Sequence, residues 1–221
     1  MKKVFPVLMM IALLLALAAC GGKTGPEPSE TPAETTADAA VDEAAADEPG
    51  DAAAEPADTQ PAAGAKTLVV VFSATGTTRG VAEKIAAIED ADLYEIRAAQ
   101  EYTAADLDWN DRESRSTKEQ NDSSVRPEIG SERISLEGYE TIYIGFPIWW
   151  GEEPRIMDTF VESYDFDGIT VIPFCTSSSS GIGRSGKNLE DNAKSGNWLD
   201  GKRFSGGVSE SELRDWIDDL K

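Results

Sequence analysis

The 221-residue chain contains no histidine and only two cysteines, Cys20 and Cys175. Without an imidazole, Ser-His-Asp triads, imidazole general bases and His-containing zinc sites are all excluded. No CxxC pair and no cluster with metal-ligand spacing occurs either. Basic charge is also scarce, with 20 Lys and Arg against 41 Asp and Glu and a formal net charge of −21. An excess of that sign argues against nucleic acid and against an anionic membrane surface as partners. It suits docking to a basic protein patch, although an acidic surface also serves solubility alone. Any chemistry must therefore come from a bound cofactor or from carboxylates.

Long apolar runs are missing too. The one candidate, Val7 to Leu17, follows Lys2 and Lys3 and is too short to span a bilayer permanently, so it reads as the core of an export signal. It ends in Leu17-Ala18-Ala19-Cys20, which resembles the bacterial lipoprotein signal. That resemblance implies a signal over residues 1–20, lipidation of Cys20, and a chain anchored to a bacterial membrane on its extracytoplasmic side. Cys175 is then the sole free thiol, and no intrachain disulfide is possible. Residues 21–65 are mostly Ala, Glu, Pro, Asp, Thr and Gly, with 11 acidic residues, one Lys and Val41 as the only large aliphatic side chain. Such a segment cannot bury enough surface to fold and reads as a disordered, self-repelling acidic tether. Residues 66–221 are left as one domain, with 30 acidic and 17 basic residues, a net charge of −13.

Within that domain, strands and helices alternate. Leu68 to Phe72 is short, β-branched and apolar on both faces, as a strand buried in a parallel sheet requires. Val81, Ile85 and Ile88 follow at helical spacing. Further strands are expected at Asp92–Ile96, Glu140–Phe146, Ile169–Phe174 and Arg203–Gly207, with helices opening at Pro154, around Leu189 and Ala193, and at the Ser209–Glu212 capping box. This alternation predicts a doubly wound α/β fold with a five-stranded parallel sheet in three layers. The polar stretch from Gln100 to Leu136 offers no convincing strand, and is expected to cover an edge of the sheet or the site.

In such a sheet, ligands sit beyond the carboxyl ends of the strands. After the first strand comes Ser73-Ala74-Thr75-Gly76-Thr77-Thr78, a hydroxyl-rich turn at a helix N-terminus where free backbone N–H groups and the helix dipole favour an anion. It has no Lys, so it is not a Walker loop, and it suits a monophosphate. After the third strand comes Pro147-Ile148-Trp149-Trp150-Gly151, which brings large aromatic faces. After the fourth comes Cys175-Thr176-Ser177-Ser178-Ser179-Ser180-Gly181-Ile182-Gly183. Each has a bland alternative, since Ser/Thr/Gly turns commonly start helices and paired Trp residues are often core. Their conjunction at three strand ends describes a site for a phosphorylated, planar heteroaromatic ligand. Gly181 to Gly186 also matches GxGxxG, and Gly181 to Lys187 the start of a Walker loop. The glycines follow the wrong strand for the first, and Asn188 replaces the Ser or Thr that the second needs.

These three segments, in this order, resemble the flavodoxin-like family over nearly all of residues 66–221; Trp109, Arg115, Glu119 and Arg126-Pro127 resemble its variant with a Trp-Trp loop. The resemblance implies strand order 2-1-3-4-5 and FMN as cofactor. It implies that Ser73, Thr75, Gly76, Thr77 and Thr78 bind the 5′-phosphate. Pro147, Ile148, Trp149, Trp150 and Gly151 then flank the isoalloxazine, and Thr176, Ser177, Ser178, Gly181 and Gly183 form the other wall. The function implied is electron transfer with a redox partner protein or small oxidant. Two alternatives stay open: an FMN-dependent NAD(P)H quinone or nitro reductase, and a ligand-binding or scaffold lipoprotein that has lost its flavin.

Overall fold

The computed structural model describes residues 66–221, so the expected signal, Cys20 and tether lie outside the described residues. The first strand, β1 (Thr67–Phe72), is central. Its Leu68, Val70 and Phe72 face one apolar layer and its Val69 and Val71 the other, all buried, which is why the run shows no polar alternation. The strands β2 (Asp92–Ile96), β3 (Thr141–Pro147) and β4 (Thr170–Thr176) join it in the parallel order β2-β1-β3-β4, continued by β5 (Asn197–Trp198).

Helices α1 (Thr77–Glu89) and α5 (Glu210–Asp219) cover one face through Val81, Ala82, Ile85, Leu213, Trp216 and Ile217. Helices α3 (Arg155–Glu162) and α4 (Ser185–Ala193) cover the other through Ile156, Met157, Phe160, Val161 and Leu189. The serine half of the expected capping box forms: the Ser209 hydroxyl accepts from the Glu212 N–H at 3.2 Å. At Gly145 in β3 an added Cβ would lie 2.2 Å from the Phe174 ring, so only glycine lets that ring pack across the sheet.

The fifth strand position differs from expectation. It is split into β5 and β6 (Lys202–Phe204), both parallel to β4. The chain carries one more residue than β4 between the pairings Val171–Trp198 and Phe174–Lys202, and this bulge lies opposite Pro173. Proline has no N–H to donate, so a continuous ladder is impossible there. Strands β3 and β4 also run past their expected ends, with Phe146 paired to Cys175 and Pro147 to Thr176. Cys175 and Thr176 are therefore strand residues rather than loop residues.

The 100–136 stretch contains a helix the pattern did not reveal, α2 (Arg115–Asn121). Its apolar content is too low for a periodic stripe; it is held by polar contacts. Ser114 caps it, Arg115 pairs with Glu119 at 2.7 Å, and Ser116 and Thr117 donate to the carbonyls of Asp106 and Asp111. The stretch then returns antiparallel along the outer edge of the sheet, where Ala98 bridges Ile129 and the Tyr94 hydroxyl donates to the Glu132 carbonyl.

Candidate functional site

Beyond the carboxyl ends of β1 and β3 lies a cleft of about 590 Å³ lined by Ser73, Ala74, Thr75, Thr77, Thr78, Leu107, Trp109, Ser116, Pro147, Ile148, Trp149, Trp150 and Ser178. That volume falls within the range of about 300–1,000 Å³ typical of small-molecule sites. Nine of the fifteen residues expected to bind the cofactor line it, as does Trp109, while Thr176 lies within β4. Gly76 and Gly151 shape its turns instead, and Ser177, Gly181 and Gly183 lie on the neighbouring loop.

The floor of the cleft is built by the β1–α1 turn. Gly76 caps α1 with φ 81° and no side-chain cap, so the first N–H groups of a 13-residue helix are left for an external acceptor. An added Cβ at Gly76 would meet nothing within 4 Å; the positive φ, and not crowding, calls for glycine. The Ser73 Oγ is buried without a hydrogen-bond partner among the described residues. Leaving such a hydroxyl unpaired costs roughly 1–3 kcal/mol. Thr78 is buried and engaged elsewhere: its hydroxyl meets that of Thr176 at 2.8 Å, tying α1 to β4. The lining residues carry no charged side chain. An anion here is met by neutral donors and by the helix dipole, worth about half an elementary charge.

The two tryptophans do different things. Trp149 is half-buried, with edge-to-face contacts to Phe72 at 5.6 Å and Tyr102 at 5.1 Å. Tyr102 in turn lies under the Arg115 guanidinium, 4.0 Å from its ring, and donates to Glu119 at 2.6 Å. Burial and the Glu119 carboxylate push the Tyr102 phenol well above its usual range. Trp150 is 44% exposed and sits at the tip of a two-residue turn closed by reciprocal Trp149–Glu152 backbone bonds of 2.9 and 3.1 Å. Both central residues, Trp150 (φ 51°) and Gly151 (φ 89°), are left-handed, the pattern of a type I′ turn. For Trp this conformation costs roughly 1–2 kcal/mol. Across the mouth stands Trp109, 75% exposed.

The third loop adjoins this turn: a Cβ at Gly183 would lie 3.5 Å from the Gly151 carbonyl. Arg203 of β6 holds the loop by donating to the carbonyls of Ser177 and Ser178. Cys175 is fully buried in β4, and burial pushes its thiol up to about 12, so it stays protonated and behaves as a small core residue.

Directly behind the Trp turn is a buried charged cluster. The Arg155 guanidinium meets Glu152 at 2.9 Å, Asp158 at 3.7 Å and Glu153 at 3.9 Å. Asn188 donates to both Glu153 carboxylate oxygens at 3.2 and 3.3 Å, and Asn192 to Asp158 at 2.9 Å. The buried Ser185 hydroxyl also favours the charged Glu153 without completing a hydrogen bond of good geometry. Burial dominates: it raises Asp158 and pushes Glu153 up to about 6. Nothing in the residue pattern marks this cluster, since Glu153, Arg155 and Asp158 look like an ordinary charged helix start. Leu107, Ser116 and Gln120 were likewise hidden within a polar stretch.

Comparison with known proteins bears on the fold and the family. Residues 66–220 match the family model described as Flavodoxin. A candidate flavoprotein from Bacteroides uniformis is 52% identical with a TM-score of 0.67, covering 70% of this chain and 99% of its own. Another from Bacteroides eggerthii is 45% identical with a TM-score of 0.66, covering 70% and 97%. A flavoprotein from Lactobacillus acidophilus, solved in complex with FMN, shares the fold at 24% identity with a TM-score of 0.54, covering 69% and 98%. No curated protein matches. The chain belongs to the flavodoxin family.

Proposed function

We propose that this chain is an FMN-binding electron-transfer protein, held by a lipid on Cys20 at the outer face of a bacterial membrane. The observation that carries the cofactor is the β1–α1 turn, where an unpartnered buried Ser73 hydroxyl and an uncapped helix start share one cleft with Trp walls. The chemistry of the donors fits the phosphate of FMN: Ser73, Thr75 and Thr77 offer hydroxyls, and the start of α1 offers N–H groups. Pro147, Ile148, Trp149 and Trp150 fit the apolar ring. The complex of the Lactobacillus acidophilus flavoprotein with FMN supports the same cofactor. When bound, FMN supplies the redox chemistry. The β1–α1 turn would hold the phosphate, and Pro147, Ile148, Trp149 and Trp150 would hold the ring and limit its access to water.

The carrier reading is favoured over a reductase by the acidic charge of the domain, which suits docking to a basic patch on a redox partner protein. The intact phosphate cradle disfavours a scaffold that has lost flavin. The lipid anchor rests on Leu17-Ala18-Ala19-Cys20, and the partner class on the acidic charge of the domain.

The test mixes the FMN-loaded chain with NADPH anaerobically, with and without a flavoprotein reductase, and follows flavin absorbance. Reduction only when the reductase is present supports a carrier. Rapid reduction by NADPH alone overturns that reading in favour of an enzyme.

A further inference from the structure

We propose that Gln120, on α2 and outside the cleft lining, is a positioning residue that holds the strained Trp150 turn in its ligand-facing form. The inference rests on the FMN reading of the cleft. The Gln120 amide nitrogen donates to the Trp149 carbonyl at 3.0 Å and to the Glu153 carbonyl at 3.1 Å, the residues on either side of the turn. Two carbonyl neighbours fix the amide orientation, since only the NH₂ end can satisfy both. The price is visible at the other end, where Oε1 is buried with no partner. A side chain serving only to fill space does not need an amide there; an apolar residue would avoid the orphaned acceptor.

The clamp is itself anchored. The Gln120 backbone carbonyl accepts from Arg155 Nη2 at 3.2 Å, and the same nitrogen donates to Glu152, the closing residue of the turn. On the same helix, Arg115 and Glu119, one turn apart, fix Tyr102, whose ring packs against Trp149. The short polar helix therefore grips the turn through two donors and one ring. Trp150 has a left-handed backbone, so without the clamp the turn is free to relax away from that strain. The pre-formed wall that a planar ligand needs is then lost, and binding must restore it.

The test uses the full chain with Gln120→Met, which keeps bulk and removes both donors; Gln120→Ala serves if the thioether disrupts folding. FMN affinity is read by flavin fluorescence quenching, and the Trp environment of the flavin-free protein by near-ultraviolet circular dichroism. The expected result is a roughly tenfold weaker Kd together with an altered Trp signal in the flavin-free state, with retained far-ultraviolet signal. In the Trp150→Gly background, where glycine adopts the turn without strain, the same substitution should change Kd much less. Unchanged Kd and an unchanged Trp signal overturn the proposal. An equal Kd loss in both backgrounds also overturns it, because the effect then does not run through the turn. If the parent chain fails to bind FMN, the cofactor reading fails by itself, and the flavin-free Trp signal still decides whether Gln120 holds the turn.

Discussion

Replacing Glu153 by Gln should stabilise the protein at neutral pH, although it removes a partner of Arg155. Glu153 is 1% exposed, and its pKa is pushed from 4.5 to about 6, chiefly by burial. Well below pH 4.5 the carboxyl is protonated in both folded and unfolded chains and has no differential effect. As pH rises toward 6 the unfolded chain releases its proton while the folded chain keeps it, so stability falls. Above 6 the penalty is constant, and a shift of about 1.5 units corresponds to about 2 kcal/mol. Arg155 does not lose its compensation in the variant, because Glu152 and Asp158 remain within 2.9 and 3.7 Å. Gln can still accept from Asn188. Urea unfolding at pH 4.5 and 7.5 should give stabilities within about 0.5 kcal/mol for parent and variant at the lower pH, and a gain of about 2 kcal/mol for the variant at the higher. At roughly 2–4 °C per kcal/mol, the matching rise in Tm is about 4–8 °C. A variant less stable than the parent at pH 7.5 would refute the reasoning, since the attraction to Arg155 would then outweigh the desolvation of the carboxylate. Comparison with the parent at each pH also cancels surface groups such as Asp106 and Asp122. Their lowered pKa values act in the opposite sense, with stability lost on acidification.

Three further outcomes are expected. Ser73→Ala should leave the flavin-free protein as stable as the parent or slightly more so, because the lost hydroxyl has no partner, while weakening FMN binding roughly tenfold in a fluorescence titration. Thr78→Ala should behave differently, costing about 1 kcal/mol of stability through the lost link to Thr176; Thr78→Ser should recover it in the same unfolding assay. Gly145→Ala should destabilise by roughly 1–3 kcal/mol, seen as a lower Tm, because its methyl group overlaps the Phe174 ring.

The layers of the fold were legible because they depend on burial, which leaves a pattern. Val69, Val71, Val81, Ile85, Leu213 and Trp216 stand at strand or helix spacing and meet in one core. The place of the Ser73–Thr78 turn was legible for a related reason, since a hydroxyl run stands between a buried strand and an amphipathic helix, and its use was suggested only by the two other segments at neighbouring strand ends. What stayed hidden depends on polar pairing across long separations. Helix α2 is held by capping and by contacts to Asp106 and Asp111, and the Glu153 cluster joins α3 to α4 through Asn188 and Asn192. Neither leaves a periodic trace. Thr78 illustrates a subtler gap: its place in the turn was readable, but its hydroxyl turning inward to Thr176 was not. The broken fifth strand needed the register as well, because Pro173 shows its effect only in the partner segment opposite it.

The central claim, that the β1–α1 turn is a phosphate cradle within a flavin cleft, is tested most directly by titrating the flavin-free chain with FMN and, separately, with riboflavin. The two ligands share the ring and differ in the phosphate. Quenching of flavin fluorescence by FMN, with riboflavin bound at least about a hundredfold more weakly, is expected if the turn holds the phosphate. Equal affinity for both would contradict the phosphate assignment, and failure to bind either would contradict the flavin site itself.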